Sequence, residues 1–163
     1  MSSDFNKDAL LRSAKRINVS YFKEQQEDAI NAIWQWWQSQ SISFTLSGYA
    51  GTGKTFIMRH LVRYLIIEKV CVTAPTHKAL RVLENSSGKK GMTIQSLCGL
   101  RPDVDIEDYN IENPSFKVIG EQKMRGYRLV IIDECSMINP GLFNLLIKTA
   151  IQCRCKLLFL GDE

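Results

Sequence analysis

The sequence predicts an α/β fold with a mainly parallel sheet, and three observations carry that prediction. Short apolar runs of strand length at 42–46, 69–74, 129–133 and 156–160 alternate with stretches whose apolar residues recur at helical spacing. The runs at 69–74, 129–133 and 156–160 are nearly continuous, as suits strands covered on both faces in a parallel sheet between helix layers, whereas ISFTL at 42–46 alternates. Between the first run and the next helical stretch lies GYAGTGKT, residues 48–55, a glycine-rich loop in the order strand, loop, helix.

In chain order, residues 4–16 form a short helical pattern ending in Lys15 and Arg16, followed by a turn around Asn18, and are expected to be peripheral. Residues 22–37, FKEQQEDAINAIWQWW, place Ala29, Ile30, Ile33, Trp34 and Trp37 on one helical face expected to meet the core. Trp36 is expected to point away from that face, where the indole either packs in the ordinary way or stacks on a base. The Gln26 amide is able both to donate to and to accept from an adenine edge.

The loop pattern GxxxxGK[ST] carries phosphate chemistry. Gly48, Gly51 and Gly53, with Ala50 and Thr52 between them, let successive N–H groups converge on a polyphosphate. Lys54 then reaches the β- and γ-phosphates, Thr55 offers a hydroxyl to Mg²⁺, and the positive end of the helix at 56–67 faces the anion. The next strand, 69–74, is closed by Pro75. Strand ends line the crevice of an open α/β sheet, so Thr76, His77 and Lys78 are placed to meet a second ligand. A helix at 77–83 and a turn at 86–91 follow, and Lys78, Arg81, Lys89 and Lys90 are either a basic strip for phosphates or a solvated helix end and loop.

Residues 99–126 lose periodicity, carry the acidic run Asp103, Asp105, Glu107, Asp108 and Glu112, and read as an insertion with a small hairpin about the Asn113-Pro114 turn. Order returns with LVIID at 129–133, a buried strand expected beside the phosphate loop and ending in Asp133 and Glu134. One carboxylate there serves a metal ion and the other acts as base toward water. Asn139-Pro140 opens a helix at 141–151, a fourth strand follows at 156–160, and Gly161-Asp162-Glu163 comes last.

With 163 residues, 45% hydrophobic and 23% charged, the chain suits one ordinary globular domain. The N-terminus has no apolar signal core and no stretch reaches the ~18 apolar residues of a membrane span, so a cytoplasmic location without membrane partners is expected. The five cysteines include no CxxC pair and are expected to be reduced and mostly buried. A net charge of +4 permits a nucleic-acid partner without requiring one.

Five stretches in order then resemble the motifs of superfamily 1 DNA helicases, in particular the Dda and RecD group. They are QEDAI from Gln26, GYAGTGKT, APTHKAL from Ala74, IIDECSM from Ile131 and Gly161-Asp162. DECSM is the most specific of them. TIQS, from Thr93 to Ser96, is similar to a strand-contacting motif, with Gln95 where a histidine is usual. The resemblance implies a P-loop NTPase (RecA-like) three-layer sandwich, a single motor domain over 1–163 with a small inserted subdomain at 99–127. It implies ATP and Mg²⁺ as ligands, with Gln26, Gly48, Ala50, Gly51, Thr52, Gly53, Lys54 and Thr55 around the nucleotide, Thr55 and Asp133 on the metal, and Lys54, Asp133 and Glu134 in catalysis. It also implies single-stranded DNA on Pro75, Thr76, His77, Lys78, Thr93 and Gln95, and 5′-to-3′ translocation. A second motor domain, absent from this sequence, is expected in cis or in trans. Two other readings stay open: a non-catalytic ATP- or DNA-binding fragment, and a non-helicase P-loop ATPase.

Overall fold

The computed structural model describes residues 24–64, 69–100 and 120–162. The N-terminal helical pattern, the last residues of the 56–67 helix and the hairpin expected near Asn113 lie outside them. The described elements are α1 (Glu24–Gln38), β1 (Ser43–Ser47), α2 (Lys54–Tyr64), β2 (Val70–Ala74), α3 (His77–Ser87), β3 (Met92–Thr93), α4 (Ile94–Cys98), β4 (Leu129–Ile132), α5 (Pro140–Cys153) and β5 (Lys156–Gly161). Short 3-10 turns occupy Lys123–Gly126 and Cys135–Met137.

The strands form one five-stranded sheet in the order β1-β5-β4-β2-β3, with every neighbouring pair parallel. All residues of β2 and β4 are buried, as strands covered on both faces must be. Because side chains alternate across a strand, the two faces separate cleanly. Val70, Val72, Leu129, Ile131, Leu158 and Leu160 join one core with Ile30 and Ile33 of α1 and Ile57, Met58 and Leu61 of α2. Cys71, Val130, Ile132, Leu157 and Phe159 join the other with Ile94 and Leu97 of α4 and Leu142 and Leu146 of α5. Helix, sheet, helix is the expected three-layer sandwich.

Four local differences from the sequence reading have physical causes. Trp36 does not point away: it is 5% exposed and belongs to the first core, while Trp34 and Trp37 are only partly buried. The seam of α1 runs through Ile30, Ile33 and Trp36 at a spacing of three, and the Trp36 ring packs on Phe44 with centroids 5.7 Å apart. Lys156 fixes that end of the helix, donating to Trp36 O, Ser39 O and Ser41 O at 3.0, 2.9 and 2.8 Å. A buried Trp36 is not available to stack on a base.

Second, α3 runs to Ser87, past the helix end expected at 83 and into the expected turn at 86–91; it ends at Gly88, whose φ of 69° and N–H bond to Glu84 O make a left-handed cap. Third, β3 is a fifth strand of two residues, too short to show periodicity, and it pairs with the end of β2. Fourth, β5 lies between β1 and β4, so the Asp133 strand is not the direct neighbour of the strand leading into the phosphate loop.

Gly99 and Gly120, on either side of residues 101–119, are bonded to each other, Gly120 N–H to Gly99 O at 3.0 Å. Met124 is fully buried in the second core, so the described end of the expected insertion belongs to the main body. All five cysteines are free, and burial pushes the thiols of Cys71 up to about 11 and of Cys98 and Cys155 up to about 12. No described helix is long and apolar enough to cross a membrane.

Candidate functional site

β1 feeds residues 48–53 and α2 leaves them, so the loop joins the carboxyl end of a strand to a helix N-terminus. Gly51 and Gly53 have φ of 81° and 95°, a region that disfavours a Cβ. Gly53 carries a second constraint, since a Cβ there would lie 2.3 Å from Gln26 Nε2. That amide donates to Thr52 O at 3.1 Å, tying the first turn of α1 to the loop. Thr52 Oγ1 donates to Tyr49 O at 2.8 Å and closes the turn, leaving Ala50 exposed at its tip. Ile57 N–H to Gly53 O, 2.9 Å, bridges the loop and the first turn of α2. The N–H groups of Lys54 and Thr55 precede it, among the donors that a helix leaves for an outside partner, where its dipole favours an anion.

Lys54 points back over the loop. Its ammonium donates to Gly48 O and, at 3.0 Å, to Tyr49 O, and pairs with Asp162 Oδ1 at 2.6 Å. Asp133 stands one residue beyond β4, held by its N–H to Thr73 O at 3.0 Å. Burial raises its carboxyl above the usual range, the Glu134 N–H on Oδ1 at 3.0 Å lowers it, and the charges of Asp162 and Lys54 then act in opposite directions. Glu134 has a φ of 54° and is exposed. The turn it makes sends the chain away from the strand into the 3-10 turn at Cys135–Met137. Lys54, Asp133 and Asp162 thus form one electrostatic cluster at the carboxyl ends of β1, β5 and β4. Asp162 is the member that reading the sequence missed as a site residue, because only the position of β5 in the sheet brings it there.

The partly buried carboxylate of Asp133 and the exposed hydroxyl of Thr55, at the start of α2, are oxygen donors of the kind Mg²⁺ takes, and a cation facing Asp133 would offset what burial costs it. The residues present fit a magnesium-bound polyphosphate.

A second concavity, about 790 Å³, is lined by Pro75, Thr76, His77, Thr93 and Gln95, together with Ser96, Glu121 and Lys123. Five of the six expected nucleic-acid residues therefore meet in one groove. Thr76 and Thr93 also cap α3 and α4, accepting from Ala79 N–H at 3.1 Å and Ser96 N–H at 3.3 Å, and Thr93 is buried. Lys78 is exposed on the first turn of α3. Lys89 lies beyond the far end of that helix, about 16 Å along it, and lines a separate concavity with Arg59, so Lys78 and Lys89 do not form one strip. Lys123, whose ammonium donates to Ser96 Oγ at 3.3 Å, is a groove cation that the aperiodic sequence around it did not reveal.

The family model described as AAA domain matches residues 21–163. The chain belongs to the AAA domain family. This AAA domain is 32% identical over 143 residues to the ATP-dependent DNA helicase dda of Enterobacteria phage T4, a match covering 86% of the chain and 31% of the helicase. It is 35% identical over 136 residues to the uncharacterized protein R530 of Acanthamoeba polyphaga mimivirus, covering 73% of the chain and 28% of that protein. The chain therefore spans about a third of the length of these relatives. Among solved structures it resembles Bacteroides sp Pif1 in complex with ADP-AlF4, with a TM-score of 0.59 and 24% identity over 88% of this chain and 32% of that one, which shows a shared fold. The AAA domain is thus a P-loop NTPase sandwich, homologous to helicases of the group its motifs resemble.

Proposed function

We infer that this chain is the ATP-binding half of an ATP-dependent DNA helicase motor. The observation that carries the reading is the convergence of the phosphate loop, Asp133-Glu134 and Asp162 on one crevice, with Lys54 at its centre. Similarity to the phage T4 helicase supports extending it from nucleotide to DNA.

In this reading, the amides at 51–55 and the Lys54 ammonium hold the phosphates, and Gly48, Ala50 and Thr52 shape the loop. Gln26, already bonded to the loop, contacts the base. Thr55 and Asp133 hold Mg²⁺, which when bound neutralises charge on the transferring phosphoryl group. Glu134 accepts the proton of the attacking water. The groove of Pro75, Thr76, His77, Thr93 and Gln95, flanked by Lys78, takes single-stranded DNA, with 5′-to-3′ movement. A second RecA-like domain, in cis or in trans, closes the crevice and supplies the charge that stabilises the transition state, a contribution of ~10³ to 10⁵ in rate. Residues 99–127 include a small subdomain inserted in this motor domain.

Alone, the chain binds single-stranded DNA weakly and displaces no strand. Its affinity falls as salt rises, and Lys78→Ala flattens the slope of log affinity against log salt by about one phosphate contact. The test is strand displacement on a 5′-tailed duplex, with DNA-stimulated ATP turnover, for the 163-residue chain beside a form extended through a second motor domain. Displacement by the extended form alone supports the reading. ATP turnover that DNA does not stimulate in the extended form favours a non-helicase ATPase instead.

A further inference from the structure

β5 enters the sheet between β1 and β4, with Gly161 opposite Ser47 and Phe159 opposite Ile132. Its carboxyl end must therefore open between the phosphate loop and Asp133-Glu134. The first residue beyond the strand is Asp162, and its Oδ1 lies 2.6 Å from Lys54 Nζ. An ammonium has three donors; here two go to the carbonyls of Gly48 and Tyr49 and the ion pair takes the remaining direction.

We propose that Asp162 is an internal stand-in for a phosphate group, one that a bound polyphosphate must displace from Lys54. The two partners are unequal: the Lys54 side chain is 13% exposed and that of Asp162 61%. The sheltered ammonium keeps its place over the loop, and the exposed carboxylate is the group free to swing out. The backbone beneath it does not follow, because Gly161 is buried against Cys135, whose Sγ would lie 2.5 Å from a Cβ at that position. Displacement is thus a side-chain event at one residue.

The consequence is selectivity. A ligand whose phosphates reach Lys54 replaces the carboxylate with a stronger anion, whereas a ligand that stops at the α-phosphate leaves the pair intact. Asp162 raises the threshold for ATP and ADP and leaves that for AMP unchanged. It acts through Lys54 and is a positioning residue.

The inference rests on the loop being the nucleotide site, and the experiment separates the two. ATP, ADP and AMP are titrated calorimetrically, with Mg²⁺, into the parent chain, Asp162→Asn and Asp162→Glu. A pair whose carboxylate stands in solvent is worth little, so Asp162→Asn is expected to bind ATP and ADP about two- to fivefold more tightly. AMP is expected to be unaffected, and Asp162→Glu, which keeps the charge, to bind all three as the parent does. Weaker ATP binding by Asp162→Asn, or an equal gain for AMP, overturns the inference while the parent's preference for polyphosphates upholds the site. A parent chain with no preference for ATP over AMP overturns both.

Discussion

Glu134→Gln, in a form of the protein extended through the second motor domain, keeps its affinity for ATP and loses turnover by about 10²- to 10⁴-fold. Glu134 is one residue past Asp133, and its φ of 54° turns it out of the line of β4 at an exposed position. Its own N–H is committed to Asp133 Oδ1 at 3.0 Å, so the two carboxylates are set by one local turn but face different surroundings. Asp133 is partly buried and electrostatically coupled to Lys54, whereas Glu134 is exposed where water has access. Glutamine keeps the size and the backbone bond and removes only the capacity to take a proton. Single-turnover hydrolysis measures the loss directly. Hydrolysis at the parent rate would show that another group activates the water.

Lys54→Ala, in the 163-residue chain, lowers Mg-ATP affinity by about 10- to 100-fold while the fold is retained. The loss is large because a charge-assisted hydrogen bond to phosphate has no replacement nearby; among the groups described around the loop, Lys54 is the cation aimed over it. The fold is retained because the ammonium belongs to neither hydrophobic core. Removing it also leaves Asp162 without its partner on the anion-binding side, which adds repulsion to the lost attraction. Calorimetry gives the affinity and circular dichroism the fold; unchanged ATP affinity would exclude Lys54 as a phosphate ligand.

What could be read from the residues was whatever local geometry dictates. The phosphate loop was legible because positive φ at Gly51 and Gly53 is a demand on residue type that a sequence displays. β2 and β4 were legible because burial on both faces writes a run that is apolar throughout in β4 and broken only by Thr73 in β2. Helix starts were legible at Thr76 and Asn139, whose side chains cap α3 and α5. Strand order was not, because nothing within LLFLG states that β5 will insert between β1 and β4. That single topological fact moves Asp162 from a chain end to the Lys54 ammonium. Trp36 was misplaced for a related reason: helical periodicity fixes a stripe, but Phe44 on the next strand and Lys156, 120 residues on, decide which edge of the stripe is covered. Lys123 lies in the aperiodic stretch after 101–119, and only the contact with Ser96, 27 residues earlier, draws it into the groove.

The most direct measurement is amide chemical-shift mapping of the 18.6 kDa chain during titration with Mg-ATP. Shifts are expected to centre on residues 48–55, with Gln26, Asp133 and Asp162 responding. Residues around the concavity at the opposite ends of the strands, lined by Trp37, Arg128, Arg154 and Lys156, are expected to stay unmoved. Shifts centred on that concavity, with Gly51, Gly53 and Lys54 silent, would contradict the assignment of the nucleotide site.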